Sequence, residues 1–293
     1  MVKRCDFNFL FKVFSKLTLI TSLSFSTYAY KPQSSVESLL SPLKSNLEPP
    51  KNSRKYNFEG IVKLSNCSGS LIKFKGQPLS SKGIVLTNGH CISRRFIRPG
   101  EIVLNKRDRR RMRVADSNKK FHAIRAEKIL YATMTGTDAA LFQIEETFEE
   151  LEKKGIQALE LSDIRPYVDT DIEVISGYWE RGYSCQLEEF IFEMRESRWT
   201  FKDSLRYSRP GCETIGGTSG SPIIEKSTRL VIGVNNTGNE SGRECTMNNP
   251  CEIDSNGNVT VIKGASYGQQ TYWFYSCLTE DFQIDLTKEG CKL

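Results

Sequence analysis

The sequence predicts an all-β protein made of two barrel-like halves, and three observations carry that prediction. Short β-rich runs bounded by turn residues recur along most of the chain. Helical periodicity is confined to one acidic stretch near the middle. No alternation of strand and long amphipathic helix occurs, which excludes the βαβ layout of a parallel sheet. With 38% hydrophobic and 26% charged residues among 293, the chain can bury a sizeable core, and wholly disordered or collagen-like readings fail.

The elements follow in order. Lys3, Arg4, Lys12 and Lys16 form a basic leader, 17–25 is a short apolar run, and Thr27-Tyr28-Ala29 places small residues where a signal peptidase inspects them. Residues 1–29 therefore read as a cleaved signal peptide. A membrane anchor would need about 20 uninterrupted apolar residues, and Lys12 and Lys16 break the only candidate. Residues 30–56, with Pro32, Pro42, Pro49 and Pro50 among Ser, Lys and Asn, read as a linker or propeptide. The folded domain is expected over 57–285, its first barrel over about 57–145 and its second over about 160–285, with a short tail at 286–293. Strands are expected at 60–64, 69–74, 84–86, 102–104 and 139–144 in the first half. In the second they are expected at 172–176, 189–193, 223–224, 230–234, 259–262 and 271–276. Between the halves, 145–154 reads as a helix with Phe148, Leu151 and Ile156 on one stripe.

Charge and cysteine content limit the function classes. The net charge is +6, from 41 Lys and Arg against 35 Asp and Glu. Without 1–29 the balance is 37 against 34, or +3, too small to argue for a nucleic-acid partner. The basic run 106–113 reads as a solvated surface loop. Loss of Cys5 with the leader leaves eight cysteines, an even number that suggests four disulfides in an exported chain. Zinc is disfavoured, because no C-x-x-C pair occurs and His90 and His122 are the only histidines. Cys277 and Cys291 could close a C-terminal loop and Cys245 and Cys251 a turn, leaving Cys185 for Cys212.

Three separated segments carry the chemistry: Leu86-Thr87-Asn88-Gly89-His90-Cys91, Gly136-Thr137-Asp138-Ala139-Ala140-Leu141-Phe142, and Gly216-Gly217-Thr218-Ser219-Gly220-Ser221-Pro222. A serine hydroxyl is a poor nucleophile until an imidazole takes its proton. The imidazole needs a carboxylate on its other nitrogen to hold the tautomer and stabilise the imidazolium. Glycines around the serine let backbone N–H groups approach a developing oxyanion, and those of Gly217 and Ser219 are the natural pair.

These segments resemble those of the chymotrypsin/trypsin-like serine peptidases, more closely the bacterial trypsin-like and glutamyl-endopeptidase-like branches. Thr87-Asn88-Gly89-His90-Cys91 is similar to T-A-A-H-C, and Cys67-Ser68-Gly69-Ser70-Leu71-Ile72 to C-G-G-S-L-I. Asp138-Ala139-Ala140-Leu141 is similar to D-I-A-L, and Gly217-Thr218-Ser219-Gly220-Ser221-Pro222 to G-D-S-G-G-P. The order His, acid, Ser differs from that of the α/β-hydrolases.

The resemblance implies two six-stranded antiparallel β-barrels with the active site in the cleft between them. It implies a triad of His90, Asp138 and Ser219, an oxyanion hole from Gly217 and Ser219, and a Cys67–Cys91 disulfide. Family bridging across the serine would join Cys212 to Cys245 instead of Cys185, and both pairings stay open. Glu213, six residues before the serine, occupies the position of the acidic base of the specificity pocket. A buried carboxylate there would favour Arg or Lys before the scissile bond, and Thr214 is a further substrate-binding candidate. Asn235, Asn236 and Thr237 would pair with substrate backbone as an added strand.

One departure stands out. Thr218 replaces the aspartate that receives a freed N-terminus in the pancreatic branch, so that activation ion pair cannot form.

The expectation is an exported serine endopeptidase, secreted or periplasmic. It would be monomeric, act on peptides or proteins, and use no metal or cofactor. No nucleic-acid partner is expected, and no membrane partner in the mature form. The alternative is a catalytically inactive peptide- or protein-binding relative; an exported esterase is a third reading.

Overall fold

The computed structural model describes residues 56–93 and 95–293; the leader expected at 1–29, and all of the expected linker but Tyr56, lie outside them. Two six-stranded rings dominate the described residues. The first contains β1 (Ile61–Lys63), β2 (Ser68–Lys73), β3 (Lys82–Thr87), β5 (Arg111–Ala115), β6 (Phe121–Thr133) and β7 (Ala139–Thr147). These pair antiparallel in the order β1-β5-β6-β7-β3-β2, and the β1–β2 pairing closes the barrel. Strand β4 (Ile102–Arg107) continues along β6 where β5 leaves off, and β8 (Leu159–Glu160) adds a short parallel pairing to β2.

The second ring contains β9 (Asp171–Ser176), β10 (Arg181–Glu196), β11 (Trp199–Tyr207), β12 (Pro222–Glu225), β13 (Val231–Gly238) and β16 (Ser266–Gln270). They are joined as β11-β16-β13-β12-β9-β10, with β10–β11 completing the circuit. The hairpin β14 (Cys251–Ile253) and β15 (Val259–Thr260) hangs from the end of β10.

Side-chain alternation explains why several strands read as unbroken apolar runs. In β3, Val85 points into the first barrel's core while Ile84 and Leu86 join a second cluster. In β7, Ala140, Phe142 and Ile144 take the first direction, Ala139 and Leu141 the second. The second cluster also holds Ile175, Ile224, Val231 and Val234 from the other ring, and the first reaches Met194, Trp199, Phe201 and Tyr267 there, so both contribute to the seam. Strands buried on both faces lose the polar-out alternation of a half-exposed sheet. Ile172, Val174, Leu205, Tyr207 and Ile223 form the second ring's own interior.

Strands β6 and β11 were not expected from the sequence, and three further segments differ in type or extent. Strand β7 continues to Thr147, so the helix shrinks to α1 (Phe148–Glu152). Its start is fixed by a capping box, in which Glu150 N–H donates to Thr147 Oγ1 and Thr147 N–H to the Glu150 carboxylate. The aromatic run expected as a strand at 271–276 is a 3₁₀ turn, Tyr272–Cys277, whose Phe274 fills the seam cluster. The basic run 106–113 is no loop: it forms the end of β4, a tight connection and the start of β5, with Met112 buried.

The eight cysteines among the described residues form four disulfides, Cys67–Cys91, Cys185–Cys212, Cys245–Cys251 and Cys277–Cys291. Cys212 thus pairs with Cys185, not with Cys245. Such density fits an oxidising compartment. No helix among the described residues is long and apolar enough to cross a membrane.

Candidate active site

The first ring supplies the histidine and the aspartate. After β3 the chain turns at Asn88 into a single 3₁₀ turn, Gly89–Cys91, that carries His90. Position 89 must be glycine, because a Cβ there would lie 2.0 Å from Thr133 O at the end of β6. That close approach brings the turn against Asp138, the residue just before β7. His90 Nδ1 and Asp138 Oδ2 are 2.7 Å apart, and His90 N–H donates to Oδ1 at 3.1 Å. Asn88 Nδ2 donates to Asp138 O at 2.8 Å, fixing the aspartate's backbone as well.

Asp138 is 1% exposed, so its charge acts on the imidazole with little water between. Burial disfavours the imidazolium, but the charge and hydrogen bond of Asp138, with a smaller contribution from Glu196, outweigh it and raise the His90 pKa above the ordinary 6.5. A carboxylate only accepts hydrogen bonds, so Nδ1 carries the proton and Nε2 keeps its lone pair.

The serine sits in the loop before β12. Thr218 N–H donates to Ile215 O and Ser221 N–H to Thr218 O, two tight turns that bracket Ser219. Gly220 has φ +82°, and a Cβ there would lie 2.2 Å from Ser68 O, which explains the glycine after the serine. Ser68 N–H donates to Ser219 O at 2.8 Å, so β2 of the first ring holds the loop. Trp179 Nε1 donates to Gly216 O at 2.8 Å and Ser68 Oγ to Gly217 O at 3.2 Å. The N–H groups of Gly217 and Ser219 donate to no other group among the described residues.

His90, Asp138 and Ser219 line one cavity of about 360 Å³. The Ser219 hydroxyl is turned toward Asn236 O, 3.1 Å away, and makes no hydrogen bond to His90. Glu213, Thr214, Asn235, Asn236 and Thr237 belong to the same wall, whereas Gly217 adjoins the lining residue Gly216 without being part of it. Beyond Asn235, whose backbone still bonds Ser221 O and Gly220 N–H, β13 pairs only with β16. Its other edge at 236–238 carries no strand.

Glu213 does not supply a buried charge. It is exposed, and its Oε2 accepts from Gly211 N–H at 3.0 Å. Besides Asp138, the buried acid of this cavity is Glu196, 7% exposed at the end of β10, and burial raises its pKa above the usual carboxylate range. Sequence reasoning missed it, along with Phe96 and Trp199. Phe96 stacks edge-on between the His90 ring, 5.9 Å away, and Trp199, 5.5 Å away. Cys67, His90 and Cys91 lie close together, but the two sulfurs are bonded to each other and offer a metal no thiolate.

Residues 67–234 match the family model of the trypsin-like peptidase domain. No curated protein matches the chain. Similar solved structures include the MamO protease domain from Magnetospirillum magneticum, 11% identical, covering 77% of this chain and 99% of that one at a TM-score of 0.49. A Glu endopeptidase is 15% identical, with 73% and 85% covered at 0.41. A Nocardiopsis protease is 13% identical, with 73% and 93% covered at 0.42.

Proposed function

The chain belongs to the trypsin-like peptidase domain family, and from that premise we propose that it is an exported serine endopeptidase working through an acyl-enzyme. The observation that carries the reading is the 2.7 Å contact of His90 Nδ1 with Asp138 Oδ2 in a cavity that Ser219 also lines.

On this reading Ser219 Oγ rotates from Asn236 O toward His90 Nε2 when a peptide fills the cavity. Oγ attacks the scissile carbonyl carbon and its proton passes to Nε2. The N–H groups of Gly217 and Ser219 hold the oxyanion. Collapse of the tetrahedral adduct breaks the C–N bond, and the imidazolium gives its proton to the departing amine. Water then repeats the sequence on the acyl-Ser219 ester and releases the carboxylic acid. The unpaired edge at 236–238 would receive the substrate backbone before the scissile bond as an antiparallel strand. Export rests on the leader at 1–29 and on the disulfides.

The test is cleavage of an unstructured protein by the purified chain beside Ser219→Ala. Specific new termini that appear only with the unaltered chain support the reading. Equal absence of cleavage with both favours the binding-protein alternative, for which the present orientation of the Ser219 hydroxyl is the one observation in favour.

A further inference from the structure

The active-site cavity is acidic in a protein that is net basic. Its walls carry the carboxylates of Asp138, Glu196, Glu213 and Glu240 and no Lys or Arg. Asp138 is engaged by His90, and Glu213 and Glu240 are exposed. Glu196 is different. It is buried, yet no Lys or Arg among the described residues forms an ion pair with it. Its hydrogen-bond partner is neutral: Asn248 N–H donates to Oε1 at 2.7 Å. Buried carboxylates are generally matched by a cation, since neutral donors only partly replace the lost hydration.

We propose that Glu196 is a specificity determinant that seats the cationic side chain of a Lys or Arg residue on the acyl side of the scissile bond. The proposal rests on the endopeptidase reading and names a substrate feature for it. Position argues for the acyl side, because Glu196 lines the same cavity as Asn236 and Thr237, which lie on the free β13 edge. Phe96 and Trp199 line the same cavity and can cover the aliphatic stem of a long basic side chain while its head reaches the acid. An independent feature also points to a ligand here. Asn236 lines the cavity at 3% exposure, and its Nδ2 has no hydrogen-bond partner.

Glu196 also helps to hold the His90 pKa up, so the subsite and the base are electrostatically linked. A cation seated on Glu196 would offset that contribution and favour the neutral imidazole that must accept the serine proton.

The experiment is a positional scan of peptide substrates over the four residues before the scissile bond, each position compared as Lys, Arg, Gln, norleucine, Asp and Glu. The unaltered chain should prefer Lys or Arg over norleucine by about 10- to 100-fold at one position. Glu196→Gln should reduce that ratio to near unity, and Glu196→Lys should turn it toward Asp or Glu. Glu196→Gln should also move the acid limb of the pH–rate profile to lower pH, which a merely structural residue would not do. Absence of a cation preference at all four positions in the unaltered chain overturns the proposal without any variant, and an unchanged preference in a folded Glu196→Gln overturns it too. Labelling of Ser219 by a fluorophosphonate, measured on the unaltered chain, separates these failures from failure of the peptidase reading itself.

Discussion

Ser68 and Ser219 are bound backbone to backbone, the N–H of Ser68 donating to the carbonyl of Ser219 at 2.8 Å. Ser68 belongs to β2, directly follows Cys67 of the Cys67–Cys91 bridge, and accepts on its own carbonyl from Thr87 Oγ1 at 2.7 Å. The Ser219 loop and the histidine turn are therefore anchored to the same short segment of the first ring.

The Ser68 hydroxyl adds to this anchor. It contacts Ser176 Oγ at 2.9 Å, donates to Gly217 O and accepts from Tyr178 N–H, all at a fully buried position. Ser68→Ala should cost about 1–3 kcal/mol by leaving those groups unpaired, read as a drop in thermal midpoint. It should also lower kcat more than it raises KM, because the loop it steadies carries both N–H donors of the proposed oxyanion site.

The histidine turn has a second tether. Arg110, in the β4–β5 connection, donates through Nη1 to Cys91 O at 2.6 Å and through Nη2 to Ile92 O. Arg110→Met should keep much of the packing over Phe142 but remove both charged donors from the histidine turn, leaving Cys91 O with Asn66 Nδ2 alone and Ile92 O without its guanidinium partner. A loss of about 2–3 kcal/mol is expected from charge-assisted bonds of this kind, checked by denaturant unfolding beside kcat/KM.

The pH dependence follows from the His90 shift. On the proposed mechanism catalysis needs the neutral imidazole, so the acid limb of kcat/KM should lie above 6.5. The stability sign is opposite. A histidine pKa raised on folding contributes stability that is fully present below the unfolded value near 6.5 and is lost as pH rises through the folded value. Asp138→Asn should remove the leading causes of the raise, move the limb down, and cut kcat by about 10³- to 10⁴-fold through loss of the correct tautomer.

Reduction of the Cys67–Cys91 bridge, which closes a separation of 24 residues, should cost about 3 kcal/mol. The double variant Cys67→Ser/Cys91→Ser should show the same loss in reversible unfolding, with peptide hydrolysis falling alongside.

The sequence disclosed the fold where burial is two-sided. Strands β3 and β7 read clearly because both faces are apolar, and the three chemical segments stood out because each sits at a strand end among glycines. Strand β5 was hidden because its buried Met112 and Val114 alternate with Arg111 and Arg113, so the segment reads as a charge run. The aromatic content of 272–277 suggested a strand, although tertiary packing of Phe274 and the Cys277–Cys291 tether select a 3₁₀ turn. Glu196 was illegible for another reason. Its hydrogen bond comes from Asn248, some 50 residues further along, and nothing local to 196 foretells its burial.

The central claim is that His90, Asp138 and the free N–H groups of Gly217 and Ser219 activate one hydroxyl. Fluorophosphonate labelling of the folded, oxidised chain, read by intact mass, tests it most directly. The account predicts a single adduct on Ser219 that is absent in Ser219→Ala and slowed at least about 10²-fold in His90→Ala, in keeping with general-base catalysis. Failure to label at neutral pH, or labelling that persists undiminished in His90→Ala, would contradict it.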